Sequence, residues 1–81
     1  MNYQCVRNGD EYLIVLENQE KMLRLNEVGK ILWDLKMSQN ATETTMVEVL
    51  MNEFQVGKTE ASDVVNRFIE ILINHQLAER G

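Results

Sequence analysis

The N-terminal part of the chain alternates apolar and polar positions with a period of two residues, which is typical of β-strands. Turn-forming residues divide this part into three runs. We predict strands over Tyr3–Arg7, Glu11–Leu16 and Lys21–Leu25, joined as an antiparallel meander. Asn8-Gly9 predicts a two-residue hairpin with a type I′ turn, because both residues tolerate a positive φ.

The second strand carries apolar residues on both faces, which predicts a central strand that is covered on both sides. One face holds Tyr12, Ile14 and Leu16, and the other holds Leu13 and Val15. Glu17–Glu20 is predicted to form the next turn. In the third strand, Leu23 and Leu25 should point inward, with Met22 and Arg24 on the opposite face.

After Leu25 the apolar spacing lengthens to three or four residues, which predicts helices. Asn26 is a suitable N-cap for the first helix, and Glu27 is favourable beside its positive dipole end. Trp33 should lie off the centre of the apolar stripe, and Met37–Asn40 breaks the pattern. That stripe consists of Val28, Ile31, Leu32 and Leu35.

Two further helices are predicted, the second capped by Thr42 and the third starting at Thr59 and ending near Gln76. Gly57 marks the end of the second helix or the turn after it, and Leu77 should fold back onto the core. Their apolar positions are Met46, Val49, Leu50 and Phe54, and then Ala61, Val64, Val65, Phe68, Ile71 and Leu72. The predicted fold class is α+β and winged helix-turn-helix-like: a three-stranded antiparallel sheet followed by three helices, in a single domain over residues 1–81.

Composition narrows the range of functions. The chain has 81 residues and a net charge of −5. A membrane span needs about 20 apolar residues, and no apolar run in the sequence approaches that length. We therefore expect a cytoplasmic protein. Cys5 is the single cysteine and His75 the single histidine, which excludes an internal disulfide and leaves no zinc-ligand spacing. We expect Cys5 to be an inert, partly buried thiol. No phosphate loop or nucleophile motif is present, so neither a cofactor nor an enzyme is expected.

A DNA-binding role for the third helix is disfavoured by charge. Its outward positions carry three carboxylates against one arginine, whereas duplex DNA is bound through Lys and Arg. These positions are Glu60, Asp63, Asn66, Arg67, Glu70 and Asn74. The edge of the third strand offers a different possibility, because its unpaired backbone groups could accept an added peptide strand.

The segment that joins the sheet to the first helix resembles the PqqD family, whose fold is also the recognition element for leader peptides of ribosomally made, modified peptides. The resemblance runs from about Tyr12 to Glu79. It departs at Gln76, where family members often have glycine. The matching positions are Leu25-Asn26-Glu27-Val28-Gly29, Trp33, Thr42 to Phe54, Asp63-Val64, Phe68-Ile69, Leu72 and Leu77.

This resemblance implies a stand-alone peptide-binding protein without chemistry of its own. The leader of a precursor peptide would pair with the third strand and lie in the cleft beside the third helix. A maturation enzyme, such as a radical SAM enzyme or the leader peptidase of a lasso peptide pathway, would be the partner. The implied peptide-binding residues are Lys21, Met22, Leu23, Arg24 and Leu25, and Asp63, Val64, Arg67, Phe68 and Ile71. For Leu23, Leu25 and Phe68, a place in the core is an equal alternative.

Two other functions remain open from the residues alone. One is a winged-helix DNA-binding regulator, and the other is a scaffold that docks only to a partner protein. Exposed edge strands allow a monomer, a weak dimer or a swapped dimer.

Overall fold

The computed structural model describes residues 3–16 and 21–75. The elements are β1 (Tyr3–Asn8), β2 (Glu11–Leu16), β3 (Lys21–Leu25), α1 (Glu27–Gln39), α2 (Glu43–Phe54) and α3 (Lys58–Asn74). The predicted order of three strands and three helices is confirmed. The turn predicted at Glu17–Glu20, the helix end near Gln76 and the packing of Leu77 lie outside the described residues.

The chain divides into two compact units, residues 1–33 and 34–81, and the boundary lies within α1. The first unit contains the sheet and the start of α1. The second contains the end of α1 together with α2 and α3. The single domain over residues 1–81 stays a prediction.

The sheet of the first unit has the strand order β1-β2-β3, with both pairs antiparallel. β1 pairs with β2 from Tyr3↔Leu16 to Asn8↔Glu11, so that every residue of β1 has a partner. The central position predicted for β2 is confirmed. Both β1 and β3 are therefore edges of this sheet.

The hairpin between β1 and β2 differs from the prediction by one residue. Asn8 and Glu11 are paired, so the two turn residues are Gly9 and Asp10. Gly9 has a φ of 65°, and it is the only residue of this turn with a positive φ. A positive φ at the first turn position alone defines a type II′ turn, so the predicted type I′ turn at Asn8-Gly9 is wrong.

The two faces of the sheet differ in burial. One face, which we call the inner face, places Ile14 and Leu16 of β2 and Leu23 and Leu25 of β3 in the core. The opposite, outer face is exposed at Val15, so the prediction that β2 is covered on both sides is wrong. Its apolar residues are Val6, Leu13, Val15 and Met22. β1 is exposed from Gln4 to Asn8, and Cys5 is therefore exposed rather than partly buried.

Helix α1 begins where Asn26 caps it. The Asn26 side-chain oxygen accepts a hydrogen bond from the Gly29 backbone N–H at 2.8 Å, as predicted for an N-cap. Gly29 fits closely over Leu25, because a Cβ at this position would lie 3.2 Å from the Leu25 Cβ. Trp33 is fully buried together with Leu32, and it packs edge-on against the Tyr3 ring at a centroid distance of 5.1 Å. The buried side of α1 is thus centred closer to Trp33 than predicted.

In the second unit, α1 continues to Gln39 and ends at Asn40, which has a φ of 49°. The helix thus extends through the first three residues of the break predicted over Met37–Asn40 and ends at the fourth, because backbone hydrogen bonding continues until Asn40 adopts the left-handed conformation. Thr42 caps α2 by accepting from the Thr45 N–H, as predicted, and Gly57 is the N-cap of α3. α2 and α3 pack on each other. Their buried residues are Met46 and Leu50, and Ala61, Val65, Phe68, Ile69 and Leu72.

Candidate functional site

Strand β3 has an unpaired edge. It pairs with β2 on one side, and within residues 3–16 and 21–75 no strand pairs with its other side. An unpaired edge presents backbone N–H and C=O groups that can accept a further strand. This edge is where the sequence predicted peptide binding.

The hairpin register determines which backbone groups of β3 point outward. In a two-residue hairpin the residues flanking the turn exchange both backbone hydrogen bonds, and such pairs alternate with non-bonded pairs along the ladder. Asn8 and Glu11 flank the turn, so Glu11, Leu13 and Val15 bond to β1. The intervening residues of β2 must therefore bond to β3, and they are Tyr12, Ile14 and Leu16.

The same alternation continues into β3. Lys21, Leu23 and Leu25 are the partners of those β2 residues, so their backbone groups face β2. Met22 and Arg24 then direct their backbone N–H and C=O groups to the unpaired edge. These two residues are the backbone docking points that the sheet offers.

The side chains of Met22 and Arg24 also project from the outer face. Met22 is 51% exposed and Arg24 has a 72% exposed side chain, whereas Leu23 and Leu25 are buried. The Arg24 Nε lies 3.8 Å from the Glu11 Oε2 on β2. Because both groups are exposed, this pair contributes at most about 1 kcal/mol. Arg24 is therefore available to another carboxylate.

Met22 does not stand alone on the outer face. Its direct partner across β2 is Val15, which is 37% exposed, and Val6 of β1 is 49% exposed. Leu13 lies directly between Val6 and Arg24. The outer face thus carries an apolar surface, made of Val6, Leu13, Val15 and Met22, that reaches the unpaired edge at Met22.

In the second unit, the predicted α3 residues fall into two groups. Asp63 and Arg67 are exposed, Val64 is half-buried and Ile71 is 39% exposed, so all four can contact a ligand. Phe68 of α3 is buried, and Leu23 and Leu25 are buried in the first unit. Of the ten predicted residues, these three are therefore too buried to contact a peptide directly.

Two surface concavities among the described residues have mixed linings. One, about 400 Å³, lies in the first unit beside Tyr12, whose ring is approached by Arg7 at 5.8 Å and by Lys30 at 5.6 Å. The other, about 460 Å³, lies between α2 and α3, with Val47 and Met51 beside Glu48 and Lys58. Neither has the apolar lining with a few convergent polar groups that is typical of a small-molecule site.

Several other classes of site are not found among the described residues. No group of three metal-ligating side chains occurs in residues 3–16 and 21–75. No helix in the same part of the chain is long and apolar enough to cross a membrane. The outward positions of α3 between Glu60 and Asn74 are exposed as predicted, and their acidic balance is unfavourable for DNA.

The family model described as coenzyme PQQ synthesis protein D (PqqD) matches residues 11–78. The chain belongs to the PqqD family. Among solved structures, this PqqD-family chain is similar to TbiB1 in complex with the TbiA(beta) leader peptide, with a TM-score of 0.77 and 19% identity over 98% of this chain and 91% of that chain. At this identity the likeness supports the fold. No curated protein matches the chain in sequence.

Sequence reasoning did not single out Val15 and Glu11, which flank Met22 and Arg24 on the outer face. Both lie on β2, one strand away from the predicted site. The signal that could have found them is the hairpin register, because it decides which β2 side chains lie beside each β3 residue. The PqqD-family resemblance directed attention to β3 and α3 instead.

Proposed function

We propose that this PqqD-family protein binds the leader region of a ribosomally synthesised precursor peptide by adding it as a strand to the unpaired edge of β3. The observation that carries the proposal is that Met22 and Arg24 direct their backbone groups to that edge and carry exposed side chains beside it on the outer face. Family membership and the likeness to a protein solved with a leader peptide support the same reading.

Backbone pairing supplies only part of the required affinity. Met22 and Arg24 together offer two N–H and two C=O groups, and a net value of about 1 kcal/mol per hydrogen bond gives about 4 kcal/mol. A micromolar complex needs about 8 kcal/mol. Side-chain contacts must therefore provide at least half. We propose that Met22 and Arg24 contribute on the strand, and that Asp63, Val64, Arg67 and Ile71 contribute on α3.

The proposed role is binding without catalysis. Holding the leader raises the effective concentration of the attached core peptide near a maturation enzyme, which needs no reacting group on the binding protein. The partner would be a modifying enzyme or a leader peptidase. A lasso peptide pathway and a radical SAM pathway are both compatible with this role.

The test is a titration of a fluorescein-labelled leader peptide, taken from a precursor gene found beside the gene for this protein, with binding measured by fluorescence anisotropy. We expect saturable binding in the micromolar range or tighter. A folded protein that leaves the anisotropy unchanged would contradict the proposal. Binding of the maturation enzyme without the leader would then indicate a scaffold, and a shift of labelled duplex DNA at low salt would indicate a winged-helix regulator.

A further inference from the structure

The register of the sheet predicts where the side chains of an added strand would fall. Residues directly opposite each other in adjacent strands project from the same face of a sheet. A peptide residue opposite Met22 or Arg24 would therefore project from the outer face. The residue between them, opposite Leu23, would project from the inner face.

The outer face is apolar at one of these two positions. Met22 is about half exposed, and Val15, its partner across the ladder, is exposed as well. An added strand lies about 4.8 Å from β3, so a side chain opposite Met22 can cover the part of Met22 that Val15 leaves uncovered. An apolar leader residue would remove this surface from water, whereas a charged one would not.

The outer face is cationic at the other position. Arg24 has an exposed guanidinium, and its only ion pair among the described residues is with Glu11, which lies diagonally across from it on β2. Diagonal neighbours are about 7–8 Å apart, whereas directly opposite residues are about 5.5 Å apart or closer. A leader residue directly opposite Arg24 would therefore have its Cβ closer to that of Arg24 than Glu11 does, which brings an Asp or Glu carboxylate there within reach of the exposed guanidinium.

We propose that the outer face of β3 selects the leader at two positions spaced two residues apart: an apolar residue opposite Met22 and an Asp or Glu opposite Arg24. This inference rests on the proposed function and specifies the peptide that the same edge accepts. It also links the direction of the leader to its sequence. An antiparallel leader has its acidic residue two positions before the apolar one, and a parallel leader has the reverse order.

The test is a charge-reversal cycle with the fluorescein-labelled leader and a set of its variants in which each Asp or Glu is replaced in turn by Lys. We expect Arg24→Glu to weaken binding of the unchanged leader about fivefold to tenfold. One Lys variant should restore binding to within about twofold of the starting affinity. This variant identifies the residue opposite Arg24, and an apolar residue two positions away in the leader completes the predicted pattern.

Arg7→Glu is the matched control, because it makes the same change in net charge on β1, the other edge of the sheet. It should leave the affinities of all the leader variants in the same order as with the unchanged protein. The rescue itself shows that the Arg24→Glu protein is folded.

Two results would overturn the inference, and they are distinguishable. If the leader binds the unchanged protein but no Lys variant rescues Arg24→Glu, or the rescuing position has no apolar residue two positions away, the predicted pattern is wrong and the proposed function stands. If the leader does not bind the unchanged protein, the proposed function fails and the inference fails with it.

Discussion

The substitution Met22→Asp tests whether the outer side of the β3 edge contributes to leader binding. Met22 is 51% exposed, so its side chain has about half of its surface left to bury. Complete burial of a methionine side chain is worth about 1.5–3 kcal/mol, which leaves about 1 kcal/mol for the bound strand to gain. Asp also disfavours strand pairing by up to about 1 kcal/mol. The sum of about 2 kcal/mol predicts about 30-fold weaker binding.

The control is Val6→Asp. Val6 lies on the same outer face and is 49% exposed, but it belongs to β1 at the opposite edge of the sheet. Both variants place a new carboxylate on a half-exposed strand position, so any general effect on stability should be similar. Thermal unfolding by circular dichroism and leader titration by fluorescence anisotropy measure the two effects separately.

We expect Met22→Asp to lose about 30-fold in affinity, while Val6→Asp stays within about twofold of the unchanged protein. Equal affinities for the two variants, with comparable melting temperatures, would refute the reasoning. A loss confined to Val6→Asp would move the binding edge to β1.

Three further substitutions test the fold. Phe68→Asp places a carboxylate in the core at a cost comparable with the whole stability of a small domain, so circular dichroism should show an unfolded chain. An unchanged melting temperature would contradict the burial of Phe68. Asn26→Ala removes the cap on α1 and should lower the free energy of unfolding in urea by about 1 kcal/mol; an unchanged midpoint would show that the cap contributes nothing. Gly29→Ala would gain about 1 kcal/mol of helix propensity, but its Cβ would lie 3.2 Å from the Leu25 Cβ, so we expect no net increase in the free energy of unfolding. Stabilisation by the full amount would contradict this close fit.

The sequence predicted the strands and helices well because the periodicity is strong and the caps are local. Asn26 and Thr42 cap α1 and α2 as predicted, since a cap depends on one side chain and the next turn of backbone. The end of α1 within the predicted break at Met37–Asn40 was harder to predict. The helix continues through Gln39 because backbone hydrogen bonding persists until Asn40 ends it, and no single residue before that position breaks the helix.

The hairpin register could not be predicted from the apolar pattern. A turn at Asn8-Gly9 would shift the partners of β1 by two residues relative to the observed turn at Gly9-Asp10. A shift of two keeps every side chain on the same face, so both registers bury the same residues. The observed register pairs all of β1 and places Arg7 opposite Tyr12, 5.8 Å from its ring, where a cation–π contact forms.

The hairpin register nevertheless determines which β3 residues direct their backbone groups to the free edge. With the turn at Asn8-Gly9, the alternation of bonded pairs would turn the backbone groups of Lys21, Leu23 and Leu25 to the free edge. With the observed turn, it is those of Met22 and Arg24 that face outward. The sequence and the family resemblance could therefore point to β3 as a whole, but the choice of residues within β3 required the structure.

The most direct test of the account is amide hydrogen exchange, measured by NMR on the free protein and on the protein saturated with its leader. Strand addition to β3 predicts that the backbone N–H groups of Met22 and Arg24 exchange more slowly in the complex. The N–H groups of Cys5 and Arg7, which face the free edge of β1, provide the matched reference and should exchange at an unchanged rate. Slower exchange at Cys5 and Arg7, or saturation without any change at Met22 and Arg24, would contradict leader binding by strand addition to β3.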